Sequence, residues 1–225
     1  MGIKGLILVM LIMTARDLVD SQSFVPSSAS RSVITSGASI NPSVEVFREN
    51  NEKYEVTAHM TVENFSKWPL FEPFANPEEG ELSYPPMNVF PGEKEAMDMH
   101  RPLWTTKGTY GSVSWKIDES KKVIVMWYVP YLSILYSNKL AVGIMDTTSH
   151  PDSLAKTMYY DSGSFVRRTY SKKGPAIEFC DGIYCIQGNM ESSKQPLINI
   201  SIYSRDQSYL APSVQAFLNK NSLIG

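Results

Sequence analysis

"VIVMWYVPYLSILYSNKLAVGIM", Val123 to Met145, is the most apolar run of the chain outside its first fifteen residues. Its length matches a membrane-spanning helix, which needs ~20 predominantly apolar residues. Its composition does not. Pro130 would break the backbone hydrogen-bond ladder, and Lys139 would sit in hydrocarbon at a cost of ~3 kcal/mol. Val123 to Tyr128 is instead rich in β-branched and aromatic residues, as in a strand buried on both faces, and Leu140 to Met145 has the same character. The stretch therefore predicts strand, connection, strand. The connection "VPYLSILYSN" carries Tyr131, Leu132, Ile134, Leu135 and Tyr136, where loops are normally polar. A small exposed apolar tip with aromatic rings suits insertion into a bilayer interface; a loop folded back on the core is the alternative.

Around this stretch the chain alternates in short strands. Residues 54–62, "YEVTAHMTV", place Tyr54, Val56, Ala58, Met60 and Val62 on one face, a half-buried strand. Further strand signals lie in "YGSVSWKI", "SFVRRTYS", "AIEFC", "IYCIQGNM" and "LINISIYS". Six prolines between 69 and 92 predict loop and sheet edge there. One helix interrupts the strands: "SHPDSLAKTMYY" has Ser149 and Asp152 in capping-box spacing and Pro151 in its first turn. A short helix around "SVQAFLNKN" is predicted near the C-terminus. The fold class is mainly β, a β-sandwich flanked by two short α-helices and preceded by an N-terminal signal segment.

That segment, "MGIKGLILVMLIMTARDLVDSQS", has Lys4 ahead of an apolar stretch from Gly5 to Met13 that is too short to span a bilayer. Cleavage after Ala15 or after Ser21 fits, and the chain is expected to be exported. From Phe24 to Ile40 the sequence is Ser-rich, and Ala29, Val33, Gly37 and Ile40 would share a helical face. Asn41-Pro42 opens a second short helix or a strand over "PSVEVFREN". The expected division is a signal at 1–21, an N-terminal segment at 22–50, a sandwich at 51–206 and a tail at 207–225.

Composition excludes some functions. With 225 residues, a formal charge of −2 and a pI near 6.0, the chain lacks the basic surplus of a nucleic-acid binder. His59, His100 and His150 have no ligand-spaced neighbours, and His59 falls on the polar, solvated side of its strand. No nucleophile elbow, phosphate loop or zinc motif occurs, so neither enzyme, metal nor cofactor is indicated. The acidic runs "NPEEGE" and "EKEAMDMH" are taken as solvated loop surface. Cys180 and Cys185 flank the turn dipeptide Asp181-Gly182; a disulfide and two free thiols are both open. Sequons occur at Asn64 and Asn199.

"VPY" at 129–131, "YSN" at 136–138 and "MYY" at 158–160, in this arrangement, resemble the actinoporins, secreted sphingomyelin-binding pore-forming cytolysins. The resemblance covers roughly Tyr54 to Ser204. The "CDG.YC" segment is similar to that of the echotoxin- and conoporin-like branch. It implies a β-sandwich with a helix on each face and a headgroup pocket from Pro130 and Tyr136, Tyr159 and Tyr160, and Tyr110. It also implies a membrane-contact loop at Tyr131, Leu132, Ile134 and Leu135, and an N-terminal amphipathic helix that detaches to line an oligomeric pore. The implied partners are phosphocholine lipids of a target cell membrane and further copies of the chain, which is a monomer in solution. Several positions depart from the family pattern. Tyr128 stands for a pocket serine, Ala155 for a third helix tyrosine, Leu135 and Lys139 for loop tryptophans, and an Arg-Gly-Asp motif is absent. A non-lytic, lectin-like or lipid-binding module of the same sandwich class is the alternative.

Overall fold

The computed structural model describes residues 23–40, 53–146, 150–172 and 174–222. The expected signal segment, the stretch "PSVEVFREN" and Ser149 of the expected capping box lie outside these residues. Among the described residues, twelve strands form two sheets: β1 Thr35–Ser36, β2 Thr57–Asn64, β3 Phe71–Glu79, β4 Glu81–Tyr84, β5 Glu93–His100, β6 Thr109–Lys116, β7 Lys122–Val129, β8 Asn138–Met145, β9 Phe165–Tyr170, β10 Ile177–Asp181, β11 Tyr184–Met190 and β12 Leu197–Tyr203. One sheet runs β1-β5-β2-β12-β11-β10, with β4 also paired to β5; the other runs β3-β6-β7-β8-β9. Three short helices are described, Ser28–Arg31, Leu154–Tyr160 and Pro212–Ser222. The chain is a β-sandwich.

The opening stretch resolves into β7, a connection and β8, paired antiparallel. Strand alternation divides β7 between two cores. Val123, Val125, Trp127 and Val129 point between the sheets with Leu140, Val142 and Ile144 of β8. Ile124 and Met126, with Ala141, point outward against Leu154, Ala155 and Met158 of the helix. A continuous apolar strand is required because both its faces are covered. No described helix is long and apolar enough to cross a membrane.

Several sequence expectations are corrected. "EKEAMDMH" is not loop: it is β5, whose Met97 and Met99 enter the core while Glu95 and Asp98 find partners in Ala38 and Ser39 and in His59. His59 is not solvated. Register sets it opposite Asp98, its Nδ1 lies 2.5 Å from Asp98 Oδ1, and the two are only 8% and 4% exposed. Residues 28–40 do not form one helical face; they give one helical turn, strand β1 and a 3-10 turn at Ala38–Ile40. The helix predicted from Pro151 begins at Leu154, and its N-cap Ser153 makes no side-chain cap bond. The proline-rich stretch is sheet edge as expected: Pro73 and Pro77 lie within β3, an edge strand with register shifts, where proline is tolerated.

The β10–β11 hairpin turns at Gly182-Ile183, not Asp181-Gly182, with Gly182 at φ 61°. Positive φ at the first central position matches a type II′ turn. This places Cys180 directly opposite Cys185, and the two are joined as a disulfide. Asn64 is fully buried and donates to the carbonyls of Trp68 and Val89, so its sequon is no accessible acceptor; Asn199 is exposed on β12.

Candidate lipid-binding site

The outward face of β7 changes character along its length. Ile124 and Met126 are sealed under the helix, but the next outward position, Tyr128, lies beyond the seal. Tyr110 of β6 and Lys139 of β8 are its register partners on either side. The helix Leu154–Tyr160 ends above this row, so Tyr159 and Tyr160 overhang it. Arg167 of β9 fixes that end by donating from Nη1 to the carbonyls of Met158, 2.6 Å away, and Asp161, 3.2 Å away.

The result is a cavity of about 430 Å³ lined by Tyr110, Tyr128, Tyr136, Tyr159 and Tyr160 together with Glu78, Glu79 and Lys156. The rings meet edge to face: Tyr110–Tyr128 centroids are 5.9 Å apart, Tyr110–Tyr159 5.7 Å, Tyr128–Tyr159 5.2 Å and Tyr159–Tyr160 4.6 Å. That packing fixes each ring against its neighbours around the cavity. Burial, then the Glu78 carboxylate, raises the Tyr110 phenol well above its usual range. Burial, then neighbouring Tyr159 and Glu79, pushes Tyr128 up to about 12. Both stay neutral donors at physiological pH. The buried Tyr110 hydroxyl has no hydrogen-bond partner among the described residues. Lys139 Nζ stands 3.6 Å from the Tyr159 centroid and occupies one face of that ring.

Five of the six pocket positions named from sequence thus line one cavity. Pro130 is buried at the end of β7 and is not part of the lining. Ala155 faces the sheet and is fully buried. Glu78, Glu79 and Lys156 were not anticipated: the glutamates looked like loop surface, yet β3 pairs with β6 and carries them to the cavity rim. Beside the cavity, the connection 130–137 forms a tight turn in which the amides of Leu135 and Tyr136 donate to the Leu132 carbonyl. Leu132, Ile134 and Leu135 are 49%, 97% and 70% exposed; the loop is not folded onto the core, while Tyr131 is partly buried against it.

No family model matches the chain. It is 29% identical over 198 residues to Echotoxin-2 of Monoplex parthenopeus, covering 84% of this chain and 71% of that one. It is 27% identical over 150 residues to Tereporin-Ts1 of Terebra subulata, covering 61% and 72% respectively. With Conoporin-Cn1 of Conus consors the identity is 25% over 201 residues, covering 84% and 79%. The chain is a relative of the actinoporin-like toxins. Among solved structures it is similar to the lipid binding protein Nakanori, with a TM-score of 0.58 at 9% identity over 71% of this chain and 78% of that one, a likeness of fold alone. On this actinoporin-like sandwich, the tyrosine-lined cavity and the exposed apolar loop share one end of the five-stranded sheet.

Proposed function

We propose that the chain is a secreted pore-forming cytolysin that binds phosphocholine lipids, sphingomyelin above all, before oligomerising in the target membrane. The observation that carries this is the row of five tyrosines around one cavity beside the exposed Ile134–Leu135 tip. A quaternary ammonium is held by aromatic faces at ~0.5–2 kcal/mol each. Glu78 and Glu79 add negative potential for that ammonium, and Lys156 of the lining and Lys139 beside Tyr159 offer donors to the attached phosphate. Charges of both signs around one cavity suit a zwitterionic headgroup. Relatives named as a toxin and as porins support the permeabilising step.

The test is flotation with sphingomyelin-containing vesicles. Tyr136→Ala combined with Tyr159→Ala is expected to abolish most vesicle binding while the folded sandwich keeps its thermal midpoint within a few degrees. Unchanged binding by the folded double variant would remove the pocket from the mechanism. The described N-terminal residues are strapped to the sheet rather than forming one long amphipathic helix, which favours a second reading, a lipid-binding module that does not permeabilise. Dye release separates the two: vesicles that bind the full chain and never leak support the second.

A further inference from the structure

Trp104 is 97% exposed and holds a left-handed backbone at φ 63°, a conformation rare for a large side chain. Leu103 beside it is 45% exposed. An indole displayed in this way is held out by its turn rather than left over from packing. Arg101 Nη1 donates to the Thr105 carbonyl at 2.6 Å, and Thr105 Oγ1 donates to the Pro102 carbonyl at 3.3 Å, closing the turn beneath the ring.

The turn is anchored to the loop already described. Arg101 stacks on Tyr131, its guanidinium carbon 4.6 Å from the ring centroid. Gly108 lies so close to Val129 and Pro130 that a Cβ there would sit 1.9 Å from the Val129 carbonyl oxygen. Residues 101–108 and 130–136 therefore emerge from the sandwich side by side, each ending in exposed apolar side chains. Charged pairs flank them: Lys194, 5.1 Å from the Tyr131 centroid, and Arg101 both pair with Glu55, and the mostly exposed Lys107 lies 3.7 Å from Glu79. Exposed apolar tips with a tryptophan, above a polar and charged rim, match the composition of membrane-interface anchors.

We infer that Leu103 and Trp104 form a second bilayer-contact finger, entering the interfacial zone of a phospholipid membrane beside Ile134 and Leu135. This rests on the membrane-binding reading above and extends it to a loop outside the headgroup pocket. Two separate fingers fix the tilt of the sandwich on the membrane, as one loop does not.

Tryptophan fluorescence of the full chain tests it. Of the four tryptophans, Trp115 and Trp127 are buried and Trp68 is partly buried against the core and stacked on Tyr209, so iodide quenching in solution reports mainly on Trp104, and the Trp104→Phe chain gives the Trp68 background to subtract. On adding vesicles of phosphatidylcholine and sphingomyelin, the expected result is a blue shift, loss of iodide quenching and strong quenching by lipids brominated near the headgroup. Trp104→Phe should lose these changes yet still float with vesicles, and Trp104→Ala should bind several-fold more weakly with an unchanged thermal midpoint. If the wild type floats with vesicles but Trp104 stays as open to iodide as in solution, the second finger is refuted and the pocket survives. If the wild type floats with no vesicle composition, both fall together. A Trp104→Ala chain that binds vesicles normally but loses a solution oligomer assigns the indole to protein contact and overturns the inference.

Discussion

The two outer sides of this sandwich are covered by different chemistry. Over the five-stranded sheet, the helix Leu154–Tyr160 is seated on a dry seam of Ile124, Met126 and Ala141 against Leu154, Ala155 and Met158. Along the seven-stranded sheet, the N-terminal segment 23–40 is held partly by an aromatic corner and partly by carboxylates. Phe24 and Ile34 pack with Phe65, Tyr203 and Val214. Glu63 receives Arg31 Nε at 2.8 Å and Ser201 Oγ at 3.0 Å. Glu95 receives the amides of Ala38 and Ser39 at 2.9 and 2.8 Å, and also the Ser39 hydroxyl. An apolar seam is non-directional and has no wet substitute, whereas water can replace each hydrogen bond of a carboxylate clasp. The first attachment suits a fixed platform for the tyrosines; the second is one that water can loosen locally.

The largest effect should come from the fixed side. Met158 is fully buried and sits one residue before the pocket tyrosines. Met158→Ala should cost ~2–5 kcal/mol of unfolding free energy, through lost burial and the cavity left behind. It should also weaken vesicle binding, since Tyr159 and Tyr160 lose the turn that aims them. A chemical denaturation midpoint unmoved by this change would mean the helix is not part of the cooperative unit, and the contrast would collapse.

The clasped side should break locally and more cheaply. Glu95→Ala strands two backbone amides and a hydroxyl, at ~1–3 kcal/mol for the turn. Hydrogen exchange should accelerate across residues 35–40 while the core strands β7 and β8 keep their protection. Vesicle binding should persist, because the pocket lies on the other sheet. If the core strands lose protection equally, segment 23–40 is an integral part of the fold rather than a detachable strap.

The same contrast explains what could be read from sequence. Period-two alternation, and in β7 and β8 a continuous β-branched and aromatic run, marked β2 and β6 to β12 to within a few residues, because each strand's own side chains record which of its faces are dry. β5 was missed because half its positions are charged, and its burial depends on Ser39 and His59, partners that are distant in sequence. The five tyrosines were legible through family resemblance, and only the register of β6, β7 and β8 shows that they converge. Glu78 and Glu79 were hidden by a bulge in an edge strand, which local pattern does not encode. Trp104 had a modest signal, a Leu-Trp pair after Pro102 in a turn-rich stretch, but its exposure follows from backbone geometry alone.

The smallest predicted effect probes a buried histidine on the fixed side. His150 precedes the pocket helix and rests on β6, its Nε2 2.8 Å from Ser112 Oγ and its Nδ1 2.9 Å from Ser114 Oγ, with the Phe74 ring centroid 4.9 Å away. Burial, then the nearby Lys122 charge, lowers its pKa from 6.5 to about 4. The folded chain therefore keeps His150 neutral while the unfolded chain takes up a proton as pH drops below about 6.5, so proton binding favours unfolding in that window. Its stability contribution is complete above pH 6.5 and is lost as pH falls through about 4. His150→Gln, which cannot titrate, should differ from wild type by a constant denaturation midpoint above pH 6.5, and that difference should shift in favour of the variant as pH falls toward 4. A difference that stays flat across the whole range would show that the ring is protonated in the folded state as readily as in solution, and that β6 does not shield it.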